Sequence, residues 1–155
     1  MEAALDTYET YTSWTPTWDL SGSGGGFTSV GGSGFNQGFY MQIGKQVFAQ
    51  FRIQLASGFT TDAGTFSMVL PVPAYISWGG TVIQSSLGSW QIRDDSTFFH
   101  YAGTIGLFNS GGTACSFGGA YDSGGPADRE RVDENTPMGW DVSDVFSGQL
   151  SYRAA

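Results

Sequence analysis

The chain has 155 residues, a formal net charge of −8 and a low proportion of charged residues, 13%. Because binding to nucleic acid depends on Lys and Arg side chains that neutralise phosphates, an acidic chain disfavours nucleic acid as a partner. The same balance disfavours an anionic membrane surface, and the six basic residues are scattered singly. The length predicts one domain, and the aromatic content of 15% predicts a folded chain.

The first 13 residues are expected to form a short N-terminal arm, ahead of a single β-domain over residues 14–155. Their helix-compatible piece, "EAALD", is too short to be stable in isolation. We therefore predict an arm that is either loose or docked on a partner, and in the docked role Leu5 and Tyr8 would be its apolar contacts. The segment lacks the basic and apolar regions of a secretory signal peptide, which predicts synthesis in the cytoplasm without export by the general route.

Two tryptophans flank a proline in the next segment, "YTSWTPTWDL". Pro16 cannot donate a backbone hydrogen bond, so the segment is predicted to be an edge strand or an extended strap. Trp14, Pro16 and Trp18 fall on the same face by strand alternation. Two tryptophans on one face favour a core or interface position over a ligand platform.

A glycine-rich segment follows, "SGSGGGFTSVGGSGF". Its Gly-x-Gly spacing would suit a phosphate cradle only with a strand before it and a helix after it. A strand-like run follows instead, so we predict a mobile or tightly turning loop between strands. Phe27 is then a candidate residue of an exposed binding loop.

The stretch "GFYMQIGKQVFAQFRIQL" predicts a hairpin of two strands that turns at Gly44 and Lys45. Alternation along the second strand places two sets of side chains on opposite faces. The apolar set, which we assign to the core, is Val47, Ala49, Phe51, Ile53 and Leu55. The other set is Gln46, Phe48, Gln50, Arg52 and Gln54. This second face suits a subunit interface, an exposed binding surface or simple exposure to solvent.

The rest of the chain alternates short β-rich runs with Gly and Pro, without convincing helical periodicity. In "TFSMVLPVP", Phe66, Met68 and Leu70 are predicted to point inward. This pattern predicts an all-β fold, either an antiparallel β-sandwich or a jelly-roll-like barrel. The only dense charge cluster lies in residues 123–137 and predicts an exposed loop, with four candidate binding residues: Asp128, Arg129, Glu130 and Arg131.

Few residues suit catalysis. His100 is the only histidine, and no GxSxG turn surrounds a serine nucleophile. The single Cys115 excludes an intrachain disulfide and a cysteine-based zinc site, and its alternating apolar context predicts a buried thiol. Adjacent Asp94 and Asp95 predict a turn rather than a catalytic pair. We therefore predict that the protein is not an enzyme and has no cofactor.

Two other kinds of binding remain open. Asp141 and Asp144 would suit calcium together with nearby carbonyl oxygens, although their spacing is not that of an EF-hand. The five Trp and seven Tyr residues, with many amide side chains, also suit a carbohydrate-binding module without catalysis.

The order of motifs resembles a domain of minor tail and fibre proteins of tailed bacteriophages. The matching segments are "YTSWTPTWDLSG", "GFYMQIGKQVFAQFRIQLASG", "GTFSMVLPVPA" and "NTPMGWDVSDVFSGQLSYRAA". The domain typically reads as a Y-T-P-T-W-like opening, then G-x-Y-x-x-x-G-K-x-V, a strand closing on L-P-V, T-P-x-x-W and a terminal Y-x-A-A. The similarity extends over residues 11–155.

This resemblance implies a virion structural β-domain that commonly forms trimers and has no catalytic residues. We expect a minor tail or fibre-like component, exposed on the particle, with three kinds of partner: itself as a homotrimer, other virion proteins and host surface glycans. Because the chain is little more than the domain, a capsid decoration protein on the outside of the head is the alternative. In a trimer, the glutamine-rich face of the hairpin would line subunit contacts or form an exposed binding surface.

Overall fold

In the computed structural model, the described residues are 11–20, 24–75, 86–107, 112–120 and 129–155. They form eleven β-strands and no helix. The strands are β1 (Thr12–Trp14), β2 (Gly24–Ser29), β3 (Phe35–Ile43), β4 (Gln46–Gln54), β5 (Thr60–Asp62), β6 (Thr65–Val69), β7 (Ser86–Arg93), β8 (His100–Leu107), β9 (Ala114–Ala120), β10 (Arg129–Arg131) and β11 (Val145–Arg153). The predicted all-β class is confirmed.

The strands form one sheet in the order β1-β3-β4-β11-β7-β8-β9-β6-β2-β5, and β10 pairs with β9. The sheet curls into a half-barrel around its core. Neighbouring strands are antiparallel, except that β2 and β6 are parallel. The last strand, β11, lies in the middle of the sheet between β4 and β7, so the C-terminal segment holds together strands from two distant parts of the chain.

The predicted hairpin is formed by β3 and β4, with Ile43 opposite Gln46 and a two-residue turn at Gly44 and Lys45. Gly44 has a φ of 59°, a conformation that glycine adopts without steric cost in hairpin turns. Burial alternates along β4 as the sequence predicts. The buried side chains of this strand are Val47, Ala49, Phe51 and Ile53.

Aromatic side chains fill much of the core. The ring of Trp18 contacts those of Phe27, Phe66 and Phe117 at centroid distances of 5.3 to 6.1 Å. Phe66 also stacks on Trp140 at 5.6 Å. Such pairs add about 0.5–1.5 kcal/mol each to the free energy gained by burial. Trp14 and Trp18 both pack against the core, which is one of the two positions, core or interface, that the sequence predicted for them.

Glycine and aromatic residues alternate along one row of the inner face. The strand register places side by side, from β1 to β8, Trp14, Gly38, Phe51, Gly148, Trp90 and Gly103. A Cβ atom at Gly38 would lie 2.5 Å from the ring of Trp14, and one at Gly148 would lie 2.6 Å from that of Phe51. Each aromatic ring therefore occupies the space that a side chain on the neighbouring glycine would take. This close approach is possible only because glycine has no side chain.

The loop predicted for the glycine-rich segment is wrong for Gly24–Ser29, but residues 30–34 do form a tight turn between β2 and β3, in which Gly31 has a φ of 88°. Gly24–Ser29 is strand β2, which lies between β6 and β5. The ring of Trp18 occupies the place that a Cβ of Gly26 would take, so glycine here permits burial rather than mobility. Phe27 is only 5% exposed. It is a core residue and not part of an exposed binding loop.

The charged segment predicted as a loop also contains a strand. Arg129–Arg131 forms β10, with Arg131 opposite Gly118. Strand β6 pairs with β9 only from Ala114 to Ser116, which leaves the next residues of that edge available to β10. The prediction failed because a free stretch of a neighbouring strand, and not a local sequence pattern, creates β10.

Of the predicted N-terminal arm, the structure describes residues 11–13. β1 begins at Thr12, two residues before the predicted domain start at residue 14. Leu5 and Tyr8, the predicted docking residues of the arm, lie outside the described residues.

Candidate functional site

The five strands β3, β4, β11, β7 and β8 present a second set of side chains away from the core, which we call the outer face. The strand register assigns to it Phe35, Gln37, Phe39 and Met41 of β3, Gln46, Phe48, Gln50, Arg52 and Gln54 of β4, Ser147, Gln149, Ser151 and Arg153 of β11, Ser89, Gln91 and Arg93 of β7, and His100, Ala102 and Thr104 of β8. All of these side chains are exposed or half-buried. The same register also assigns Ile43 of β3, which is exposed, and Val145 of β11, which is buried at the end of its strand.

The five residues that the sequence placed opposite the core on the hairpin all lie on the outer face. Gln50 and Arg52 are exposed, and Phe48 is 42% exposed. Gln46 is held by a hydrogen bond from its Nε2 to the Ser151 hydroxyl at 2.9 Å. The sequence therefore identified one strand of a wider surface and not the four strands that complete it.

The outer face contains a groove with a volume of about 680 Å³, which we call the outer groove. It extends from Phe35 and Phe39 on β3 to Ala102 on β8. Since neighbouring strands are about 4.8 Å apart, a groove across five strands is about 19 Å long. Smaller depressions of about 380 Å³ and 260 Å³ share Gln50 and Arg52 with it, respectively. The volume is within the range typical of ligand sites.

Amide side chains are the main polar groups of the outer groove. Four glutamines line it, and none of their side chains makes a hydrogen bond within the described residues: Gln37, Gln50, Gln91 and Gln149. By contrast, Gln42, outside the groove, donates to the carbonyl of Gly44 at 2.8 Å. The groove glutamines therefore have donors and acceptors free for a ligand.

The charges of the outer face are all basic. No Asp or Glu occurs in β3, β4, β7, β8 or β11, although the chain carries a net charge of −8. Arg93 forms an ion pair with Asp95 at 2.8 Å, and Arg153 lies over the ring of Tyr75 at 4.5 Å. Arg52 lines the outer groove and has no such partner among the described residues.

The turn between β7 and β8 holds two exposed aromatic side chains that sequence reasoning missed. Phe98 is 78% exposed and Phe99 is 64% exposed, and Phe98 has a φ of 60°, which is rare for a bulky residue. The signal in the sequence was the pair of phenylalanines directly after the predicted Asp94-Asp95 turn.

The carboxylate of Asp94 closes this turn. It accepts hydrogen bonds from the backbone N–H groups of Ser96 and Thr97 and from both of their hydroxyls, the shortest from Thr97 at 2.6 Å. These bonds, that from the Thr97 hydroxyl above all, lower the pKa of Asp94 although burial opposes them. The predicted turn at Asp94 is confirmed.

The carboxylate of Asp144 binds two backbone N–H groups from different segments of the chain. Its two carboxylate oxygens accept the N–H groups of Asp95 at 2.9 Å and Asp141 at 2.7 Å. Burial raises its pKa, and those hydrogen bonds oppose the rise. The described residues contain no group of three or more His, Cys, Asp or Glu side chains that could hold a metal ion. The geometry assigns Asp144 to linking β11 with the turn after β7.

The remaining candidate residues are dispersed. His100 is exposed at the start of β8, beside the depression that contains Arg52 and Arg93. Cys115 is fully buried, as predicted, and burial raises its pKa to about 12, so the thiol stays protonated at neutral pH.

Three of the four predicted charged binding residues belong to β10, which is not a strand of the outer face. Arg131 is exposed on β10. The backbones of Arg129 and Glu130 belong to the same strand, and Asp128 lies outside the described residues.

Comparison of the chain with protein-family models, with curated proteins and with solved structures finds no significant match. The similarity of residues 11–155 to a phage tail and fibre domain therefore stays a prediction from the motifs. The described ranges contain no helix with the length and apolar character of a membrane span.

Proposed function

We propose that this chain is a non-catalytic structural component of a tailed bacteriophage particle, of the minor tail or fibre type. In this role its outer face is exposed on the particle and contacts the host surface. The proposal starts from the motif resemblance over residues 11–155. The fold supports it because motif segments that are far apart in the sequence are adjacent in space.

The observation that carries the proposal is the meeting of these segments at one place in the sheet. Ala74, from "LPVPA", forms a β-bridge with Ala154, from the terminal "YRAA". The N–H of Ala155 donates to the carbonyl of Pro73 at 3.0 Å, and the N–H of Ala154 donates to that of Lys45 at 2.6 Å. Three motif segments therefore position one another, as expected of segments that together define a domain.

The composition of the outer face also supports a contact role. Amide and aromatic side chains contact another macromolecule without leaving a buried charge that lacks a partner. The face is wide, since it spans five strands, and it contains no acidic residue. These properties suit a surface that binds, rather than one that only keeps the protein in solution.

The test of the proposed function is the location of the chain on the particle. In a tailed phage that encodes it, we expect mass spectrometry to find the chain in purified particles. We also expect gold-labelled antibodies against the chain to bind the tail in electron micrographs. Particles produced without the gene are the control for labelling. Labelling of the head would support the capsid decoration alternative, and absence from purified particles would overturn both roles.

A further inference from the structure

We infer that the outer groove binds an oligosaccharide that carries an anionic group, and that Arg52 pairs with that group. The inference rests on the proposed function in one respect, namely that the outer face stays exposed in the assembled particle. It deepens the expected contact with host glycans: it names the groove as the site, an anionic group on the saccharide and a specificity-determining role for Arg52, none of which follows from the motif resemblance.

The amide groups of the groove suit sugar hydroxyls. An amide side chain offers two donors and an acceptor, and a sugar hydroxyl is both a donor and an acceptor. Four glutamines line the groove with side chains that make no hydrogen bond to the described residues: Gln37, Gln50, Gln91 and Gln149. A ligand rich in hydroxyls would satisfy them without breaking any bond that the fold uses.

The shape of the groove fits a short saccharide chain. Its volume of about 680 Å³ and its length of about 19 Å across five strands suit a short chain of sugar rings. Phe35 and Phe39 line one end, where an aromatic ring can cover the apolar face of a sugar ring. Toward the other end of the groove, the small residues Ser147 and Ala102 lie on either side of Gln91 in neighbouring strands.

The charge distribution favours an anionic substituent on the sugar. The net charge of −8 would repel an anionic ligand from most of the protein. The five strands of the outer face carry no acidic residue, so the repulsion is weakest there. Arg52 is exposed in the groove without an acidic partner among the described residues, and its guanidinium suits a carboxylate or phosphate.

A saccharide fits this site better than an extended peptide. Peptides commonly join a sheet at an exposed edge, where backbone groups are free to form hydrogen bonds. The groove lies instead over β4, β11 and β7, each of which has a paired strand on both sides. Recognition here depends on side chains alone, which suits hydroxyl groups more than a peptide backbone.

The experiment measures binding of the purified full chain to an array of neutral and carboxylated oligosaccharides of about three to six rings, with a polyglutamate peptide as a further probe. We expect the strongest binding among the carboxylated members. The best of these is then titrated calorimetrically before and after methyl esterification of its carboxylate. Esterification should weaken binding to the native chain by about tenfold or more.

The variant that tests the role of Arg52 is Arg52→Gln. The affinity of this variant for the carboxylated ligand should fall by about the same factor as esterification causes in the native chain. Esterification of the ligand should then have little further effect on its binding to the variant. Gln149→Ala should weaken binding of both forms of the ligand. The matched control is Lys45→Gln, which removes one positive charge from the exposed hairpin turn outside the groove and should leave both affinities unchanged. Circular dichroism of each variant checks that the fold is retained.

Three results would overturn the inference: no binding on the array, a preference for neutral members, or an esterification penalty that is equal in the native chain and Arg52→Gln. Preference for the polyglutamate peptide would replace the saccharide with a protein partner. The particle-location test is independent of these results. If the chain is located on the tail but binds no saccharide, only the ligand assignment is refuted. If the chain binds the saccharide but is absent from particles, only the proposed function is refuted.

Discussion

At the scale of the residue, the alternation of glycine with aromatic side chains along the inner row is the most demanding local feature. Gly103 lies next to Trp90 in the register, and the indole Nε1 of Trp90 donates a hydrogen bond to the carbonyl of Gly118 at 3.0 Å. A Cβ at Gly103 would lie 2.8 Å from the indole ring and even closer to that carbonyl oxygen. The glycine is thus necessary for the position of Trp90.

We expect Gly103→Ala to destabilise the fold by about 1–3 kcal/mol, because the added methyl group displaces Trp90 and its hydrogen bond. The control is Gly106→Ala on the same strand, where an added Cβ meets nothing within 4 Å. This control should be unchanged or slightly more stable, since alanine has fewer unfolded conformations. Urea unfolding at 25 °C compares them, and equal midpoints for the two variants would contradict the role of the glycine row.

At the scale of the element, the turn between β7 and β8 depends on the charge of Asp94. Its carboxylate accepts four hydrogen bonds from Ser96 and Thr97, and the Thr97 hydroxyl above all lowers its pKa. A carboxyl whose pKa is lower in the folded state adds stability above its unfolded pKa, and this stability is lost as the pH falls through the folded value. The relevant window therefore lies below the usual value of 3.8.

We expect Asp94→Asn to be less stable than the native chain at pH 7 by about 1 kcal/mol. The difference should shrink as the pH falls below 3.8, because the native carboxylate becomes neutral as well. The control is Asp62→Asn, where an exposed carboxylate accepts one bond from Ala63. Urea midpoints at neutral and acid pH provide the measurement, and a difference that grows as the pH falls would refute the assignment.

At the scale of the whole molecule, the sheet formed by the described residues is open and ends in two short strands. β1 and β5, with three residues each, lie at its two ends. Unpaired edges are sites where further chains attach, and closed symmetry protects them. An assembly that joins these edges would leave the outer face of the central strands exposed, as the proposed function requires.

We expect the purified chain to form a homotrimer, with a mass three times the 16.5 kDa of one chain. The physical reason is edge burial, and the number three comes from the motif resemblance. Size-exclusion chromatography with light scattering at micromolar concentration measures the mass. A single species of 16.5 kDa would be incompatible with this expectation. A dimer would be consistent with burial of the sheet edges but would contradict the predicted number of three subunits.

The sequence by itself determined the all-β class, the turn at Gly44, the two faces of β4 and the buried thiol of Cys115. These features depend on the local order of residues, because period-two alternation and turn chemistry act within a few positions. The same reasoning identified Gln50 and Arg52 as members of an outward face. It failed for Phe27 because a run of glycines has the same local pattern in a loop and in a tightly packed strand.

Apart from the β3–β4 hairpin, only the tertiary structure decided which strands are neighbours, and the candidate site follows from that order. The outer groove joins Phe39 of β3, Arg52 of β4, Gln91 of β7 and Gln149 of β11, residues that are far apart in the chain. β11 brings them together by pairing with β4 on one side and β7 on the other. The physical reason is that strand pairing is non-local: a short pattern says which face a side chain occupies but not which strand lies beside it.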